Sequence, residues 1–301
     1  MRNGKHLGFF AITALLASAG CDGRASGVLD TLAPAPIDPA NPPLALSAPA
    51  AFFLSLGGNT SPAAPEPPAC PVRTESGGTT TLTGGCIDED GAEWYGRVTF
   101  PTNLNVASTN VSGAVVYEGF GSDSSAGCAD RPDGRRRQLI DGTVTVTRTD
   151  ARLDFDIDIA TTISGVGEDC SNLDEEGGLR YTGQALTPTG EGQRWSGSGM
   201  FGSDRFGRYD LVTEDELIDG NRCEHEPLSG TTTVTGSDVV VVTYDGATDC
   251  DEESTVTWTL NGVDQGERAG VRCSASPGAR GSFGAALVLF GVCLAGLRRR
   301  R

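Results

Sequence analysis

Residues Arg152-Leu153-Asp154-Phe155-Asp156-Ile157-Asp158-Ile159 place an apolar side chain at every second position and an aspartate between each pair. A helix would scatter these side chains around its circumference, whereas a strand gathers Leu, Phe and Ile on one face and Asp on the other. The same period recurs over 111–118, 195–201, 207–212, 238–244 and 255–260. Gly, Asp and Ser punctuate the runs, as at Thr149-Asp150 and Gly190-Glu191-Gly192, where such residues favour turns. No stretch of 70–272 carries a helical face. The pattern predicts an all-β domain of about ten to twelve short strands, an antiparallel meander that closes as a barrel or a sandwich.

Three Thr-rich segments resemble one another: Ser76-Gly77-Gly78-Thr79-Thr80-Thr81-Leu82-Thr83, Asp141-Gly142-Thr143-Val144-Thr145-Val146-Thr147 and Ser229-Gly230-Thr231-Thr232-Thr233-Val234-Thr235. Each lies between two cysteines, Cys70 and Cys86, Cys128 and Cys170, or Cys223 and Cys250, and an acidic cluster follows each second cysteine. These three Cys-bounded units are read as an internal repeat. An even set of six cysteines in an exported chain predicts disulfides, most simply between neighbours in sequence, and the domain is expected to be stapled by them. No C-x-x-C spacing is present and His225 is the single histidine beyond His6, so a zinc site is not expected.

The chain has a formal net charge of −17, and in residues 70–272 acidic residues outnumber arginines more than two to one. Such a field repels nucleic acid and anionic lipid, so neither is an expected partner of the domain. Residues 22–69 hold most of the prolines, mixed with Ala, Ser and Gly. This composition predicts a disordered linker, interrupted by the apolar Phe52, Phe53, Leu54 and Leu56.

The two ends speak of destination. Arg2 and Lys5 precede an apolar run from Leu7 to Ala17, the layout of an export signal over residues 1–21. Leu16-Ala17-Ser18-Ala19-Gly20-Cys21 resembles the lipobox of bacterial lipoproteins, with Ser18 where that family usually carries Leu. The resemblance implies lipidation of Cys21. Ala17-Ser18-Ala19 equally fits an A-x-A site with cleavage before Gly20. At the other end, residues 273–301 comprise Cys273-Ser274, a Gly/Ala/Pro spacer, an uncharged run from Phe283 to Leu297, and Arg298 to Arg301. They resemble the C-terminal sorting tag of myxobacterial surface proteins, which implies processing or anchoring near Cys273. The alternative is a plain C-terminal membrane anchor built on a short hydrophobic helix.

Candidate chemistry is sparse. Calcium is the one cofactor for which donors are plentiful, because hard cations take several carboxylate and carbonyl oxygens. The candidate ligands are Asp88, Glu89 and Asp90, which follow Cys86, and Asp154, Asp156 and Asp158, which project from one strand face at about 7 Å intervals. The EF-hand pattern is absent. The competing reading is a solvated acidic face paired with arginines such as Arg148 and Arg180, and Arg135-Arg136-Arg137 is read as a basic island that neutralises nearby acids. Trp94, Tyr95, Trp195 and Trp258 are read as packing residues. The expectation is a non-enzymatic surface lipoprotein, exported to the outer membrane or cell surface, with a binding or structural role. The alternatives are a carboxylate-dependent hydrolase and a β-barrel ligand carrier.

Overall fold

The computed structural model describes residues 25–40, 42–43, 70–104, 111–125, 133–167, 170–187, 192–219, 227–244 and 255–269. Fourteen strands follow one another along the chain: β1 Val72–Ser76, β2 Thr79–Thr83, β3 Cys86–Ile87, β4 Glu93–Pro101, β5 Val111–Ser125, β6 Arg135–Thr149, β7 Arg152–Val166, β8 Asn172–Leu186, β9 Gln193–Ser203, β10 Gly207–Ile218, β11 Gly230–Thr235, β12 Val239–Tyr244, β13 Thr255–Leu260 and β14 Val263–Ala269. All belong to one antiparallel sheet in which each strand pairs with its neighbours in sequence, except that β3 makes a short side pair with β4 and β2 continues directly onto β4. Among the described residues one 3-10 turn, Gly27–Asp30, joins these strands. Among the described residues no helix is long and apolar enough to cross a membrane.

The all-β, antiparallel expectation therefore holds, but the ladder does not close. It ends at β1 on one side and at β14 on the other, with no pairing between them. Strand length also departs from the expectation of short strands. β5, β6, β7 and β8 are 15 residues each, or about 50 Å when extended. Their alternation continues through glycines that resemble turn signals in the sequence. Gly142 is such a residue: it sits inside β6 with φ +123, opposite Ile159 of β7. The three Thr-rich segments accordingly occupy different places. The first spans the β1–β2 hairpin, the second lies inside β6, and the third opens β11.

Period-two alternation sorts the side chains as expected. In β7, Leu153, Phe155, Ile157 and Ile159 are buried, and the intervening aspartates are not. Corresponding residues of β4 to β13, among them Val98, Tyr117, Val144, Leu179, Phe201, Leu211, Val234, Val242 and Trp258, join in one apolar cluster. Its centre is aromatic. Phe155 stacks on Tyr181 with ring centroids 5.9 Å apart and meets Trp195 at 5.7 Å. Burial of each such side chain is worth about 1.5–3 kcal/mol. Trp94, Trp195 and Trp258 all lie in this core.

The expected covalent staples meet the described residues at two points. Cys70 and Cys86 form a disulfide across 16 residues of sequence, and Cys170 is disulfide-bonded as well. Cys21, Cys128, Cys223, Cys250, Cys273 and the apolar run 283–297 lie outside the described residues.

The expected linker is corrected in its first part. Residues 25–40 are packed against the sheet, with Leu29 and Ala35 fully buried and Ile37 nearly so. Ala35 and Ile37 belong to the main core cluster. Composition misled here because proline restricts the unbound chain as well, so docking a Pro-rich segment forfeits little entropy. Residues 44–69, including Phe52 to Leu56, lie outside the described residues.

Candidate functional site

Two constellations stand out, one on each face of the sheet. The outer one is the seat of the docked segment, called the strap below. Ser26 donates from its backbone N to Asp158 Oδ1 at 3.0 Å and from its hydroxyl to the same oxygen. Arg180, the register partner of Asp158 on β8, closes the group. Its Nε donates to Ser26 Oγ at 3.1 Å and its Nη2 to Ser26 O at 3.3 Å. The same guanidinium grips both oxygens of Asp30, at 2.9 and 3.1 Å, a bidentate and charge-assisted pair.

The floor of this seat is made of glycine. A Cβ at Gly142 would stand 2.1 Å from Asp158 O and 2.9 Å from Ala25 Cβ, and one at Gly178 would stand 2.7 Å from Ile159 O and 3.2 Å from Ser26 Cβ. Only bare backbone on both sides of β7 lets the strap lie this close. Beyond Asp30 the strap crosses the β9–β10 hairpin. Ala35 N donates to Arg208 O at 2.7 Å, and Arg208 N to Ala33 O at 2.8 Å. Ser237 N then donates to Ala35 O at 2.8 Å, Tyr209 Oη to Pro36 O at 3.0 Å, and Arg268 Nη2 to Ala40 O at 2.8 Å. One short segment thus ties together strands from β6 to β14.

These contacts account for the aspartates proposed as calcium ligands. Asp158 holds the strap. Asp156 accepts from Thr182 Oγ1 at 2.6 Å, and Asp154 accepts from Arg152 Nε at 2.7 Å. Asp88 organises its own turn, taking Asp90 N at 3.1 Å, Ala92 N at 2.8 Å and Trp94 Nε1 at 2.9 Å. Glu89 and Asp90 are exposed beside it. Among the described residues no group of three or more His, Cys, Asp or Glu side chains is arranged to hold a metal ion.

The basic island lies within β6, and the neutralising reading holds at Arg135. Arg135 donates to Asp123 at 2.7 Å, and Arg137 lies 4.1 Å over the Tyr95 ring while donating to its hydroxyl at 2.7 Å. Asp123 is buried and also accepts Glu93 N at 3.0 Å. Burial alone would raise its pKa, but the Arg135 hydrogen bond, the Glu93 N–H and the Arg135 charge outweigh it. The carboxyl is held below the usual aspartate range.

The inner constellation centres on Glu216, which is fully buried. Simple alternation along β10 would turn Asp215 inward and Glu216 outward. A bulge between Thr213 and Glu216, with Asp215 at φ +51, reverses them. A bulge re-aims the side chains that follow it. Thr232 Oγ1 donates to Glu216 Oε1 and lies 3.5 Å from Tyr244 Oη.

Tyr181 approaches from β8 by lying across β9. A Cβ at Gly197 would stand 2.6 Å from Tyr181 Cε1, and Gly197 is the register partner of Thr213 on β10. The Thr213 hydroxyl lies close enough to Tyr181 to lower its pKa, yet among the described residues neither hydroxyl makes a hydrogen bond of good geometry. Burial, countered by Thr213 and reinforced by the Glu216 charge, pushes the Tyr181 hydroxyl far above the usual phenol range. It therefore stays protonated. Sequence reasoning missed Glu216, Tyr181 and the strap. The only signal for the first was the break in alternation at Glu214-Asp215-Glu216.

Protein-family models, curated proteins and solved structures all return no match to this chain.

Proposed function

We propose that this chain is an exported lipoprotein anchored at the cell surface, whose β-domain has a binding or structural role without catalysis. The observation that carries this reading is the oxidised state of its cysteines. The Cys70–Cys86 bridge and the bonded Cys170 belong with an oxidising compartment outside the cytoplasm. That is where the lipobox-like sequence before Cys21 and the tag from Cys273 would deliver the protein. The single core formed by β4 to β13 supports a sheet that rolls toward a barrel.

The test is the intact mass of the mature protein purified from native envelopes, with and without reduction. Lipid on Cys21, loss of residues beyond Cys273 and three reducible bonds are expected. A mass that begins at Gly20 refutes lipidation, and one that retains Arg301 refutes sorting.

A ligand carrier is the second reading, favoured by the Tyr181 and Thr213 hydroxyls buried without hydrogen-bond partners. Native mass spectrometry of the purified protein would show a retained small polar molecule under that reading, and only the mass of the chain otherwise.

A further inference from the structure

Docking of the strap changes how the protein meets its membrane. Ser26 is fixed on the outer face of the sheet, at the middle of β7, by Asp158 and Arg180. Only four peptide steps separate Cys21 from Ala25, and at full extension they span about 14 Å. A lipid on Cys21 therefore has no stalk. We infer that the outer face around Ser26, Asp158 and Arg180 is the surface this domain turns toward a bilayer, held within that short reach. The inference rests on the lipoprotein reading proposed above.

The Pro-rich stretch 44–69 then has a different role from the one its composition suggests. It joins residue 43 to Cys70, and both flanks belong to the same domain. Ala40 is bonded to Arg268 of β14, and Cys70 packs against the main core. Its length has no bearing on the height of the domain above the membrane. Chemistry narrows the lipid as well. The face presents Asp30, Asp156 and Asp158 against Arg180, in a chain of net charge −17. A surface of that sign is repelled by anionic headgroups, so the partner is a zwitterionic bilayer interface.

The experiment is neutron reflectometry on the mature protein, purified with its native modifications and bound to a supported phosphatidylcholine bilayer. The readout is the water gap between bilayer and domain. The wild-type gap should not exceed about 14 Å. A flexible insert of roughly twenty Gly/Ser residues, which adds about 25 Å of reach, should leave the gap unchanged within 44–69 and widen it between Cys21 and Ala25. The pair Asp158→Ala and Arg180→Ala should widen the gap without any insert. A wild-type gap well beyond that reach, or a gap that grows with the 44–69 insert, overturns the inference while leaving the lipoprotein reading intact. Absence of lipid on Cys21 in the mass spectrum of the same preparation overturns both.

Discussion

Ser26 and Asp158, 132 residues apart in the chain, meet through two hydrogen bonds to a single carboxylate oxygen, and Arg180 locks the serine from the other side. The contact converts a Pro-rich segment that looks unstructured in the sequence into a tie across the sheet. Asp158→Ala removes an ionised acceptor and leaves Ser26 N unsatisfied. Hydrogen bonds to charged groups are worth about 1.5–3 kcal/mol, so urea unfolding should show a loss of about 2 kcal/mol. Limited proteolysis within 25–40 should accelerate in parallel. Unchanged proteolysis would mean that Leu29, Ala35 and Ile37 hold the strap alone.

Gly142→Ala should be more damaging than its size suggests. The backbone there has φ +123, and the new methyl would stand 2.1 Å from Asp158 O. Left-handed strain of this kind costs about 1–3 kcal/mol before any clash is counted. A thermal melt of the variant should shift downward by several degrees. An unchanged midpoint would contradict the close seat of the strap.

Tyr181→Phe should do the opposite of an ordinary core truncation. The phenol hydroxyl is buried with no hydrogen-bond partner of good geometry among the described residues, and removing such a group relieves a desolvation penalty of about 1 kcal/mol or more. Chemical denaturation should find the variant as stable as wild type or more so. Gly197→Ala, which drives a methyl against the same ring, should destabilise. A clear loss for Tyr181→Phe would instead reveal an occupant bonded to that hydroxyl.

The Asp123–Arg135 pair sets part of the acid response. The folded pKa of Asp123 is depressed below its unfolded value near 3.9. Its contribution is therefore complete above the unfolded pKa and is lost as pH falls through the folded one. Asp123→Asn should flatten the fall in stability as pH drops below the unfolded pKa near 3.9, measured as urea midpoints at a series of acid pH values. An identical slope in the variant would assign acid sensitivity to other carboxylates.

Cys86→Ser opens a covalent loop with a sequence separation of 16. Closure of a loop of that size stabilises by about 3 kcal/mol in the chain-entropy account. The variant should lose about that much, and reducing agent should affect it less than wild type.

Fold class was legible because half-buried strands carry their own period. Leu153 to Ile159 alternate in the sequence and in space. Asp154, Asp156 and Asp158 were correctly placed on one face, but their partners were hidden. Ser26 and Asp30 reach Arg180 from about 150 residues away, and periodicity carries no information on such long-range contacts. Glu216 was illegible for a local reason, since one bulged residue inverts the inward and outward assignment of all that follow. Closure of the sheet was beyond reach as well, because strand pattern records which face is buried and not whether the first strand finds the last.

The open ladder has a consequence wherever copies of the chain crowd together. Among the described residues, β1 and β14 each leave a row of backbone donors and acceptors without a neighbouring strand, an invitation to any extended peptide or second chain. Both edges are blunted. Arg73 and Glu75 form an ion pair on β1 at 2.7 Å. β14 is exposed, carries Asp264, Glu267 and Arg268, and loses register with β13 opposite Thr257 and Thr259. Charge on one rim and a broken register on the other disfavour the addition of a further strand at either edge.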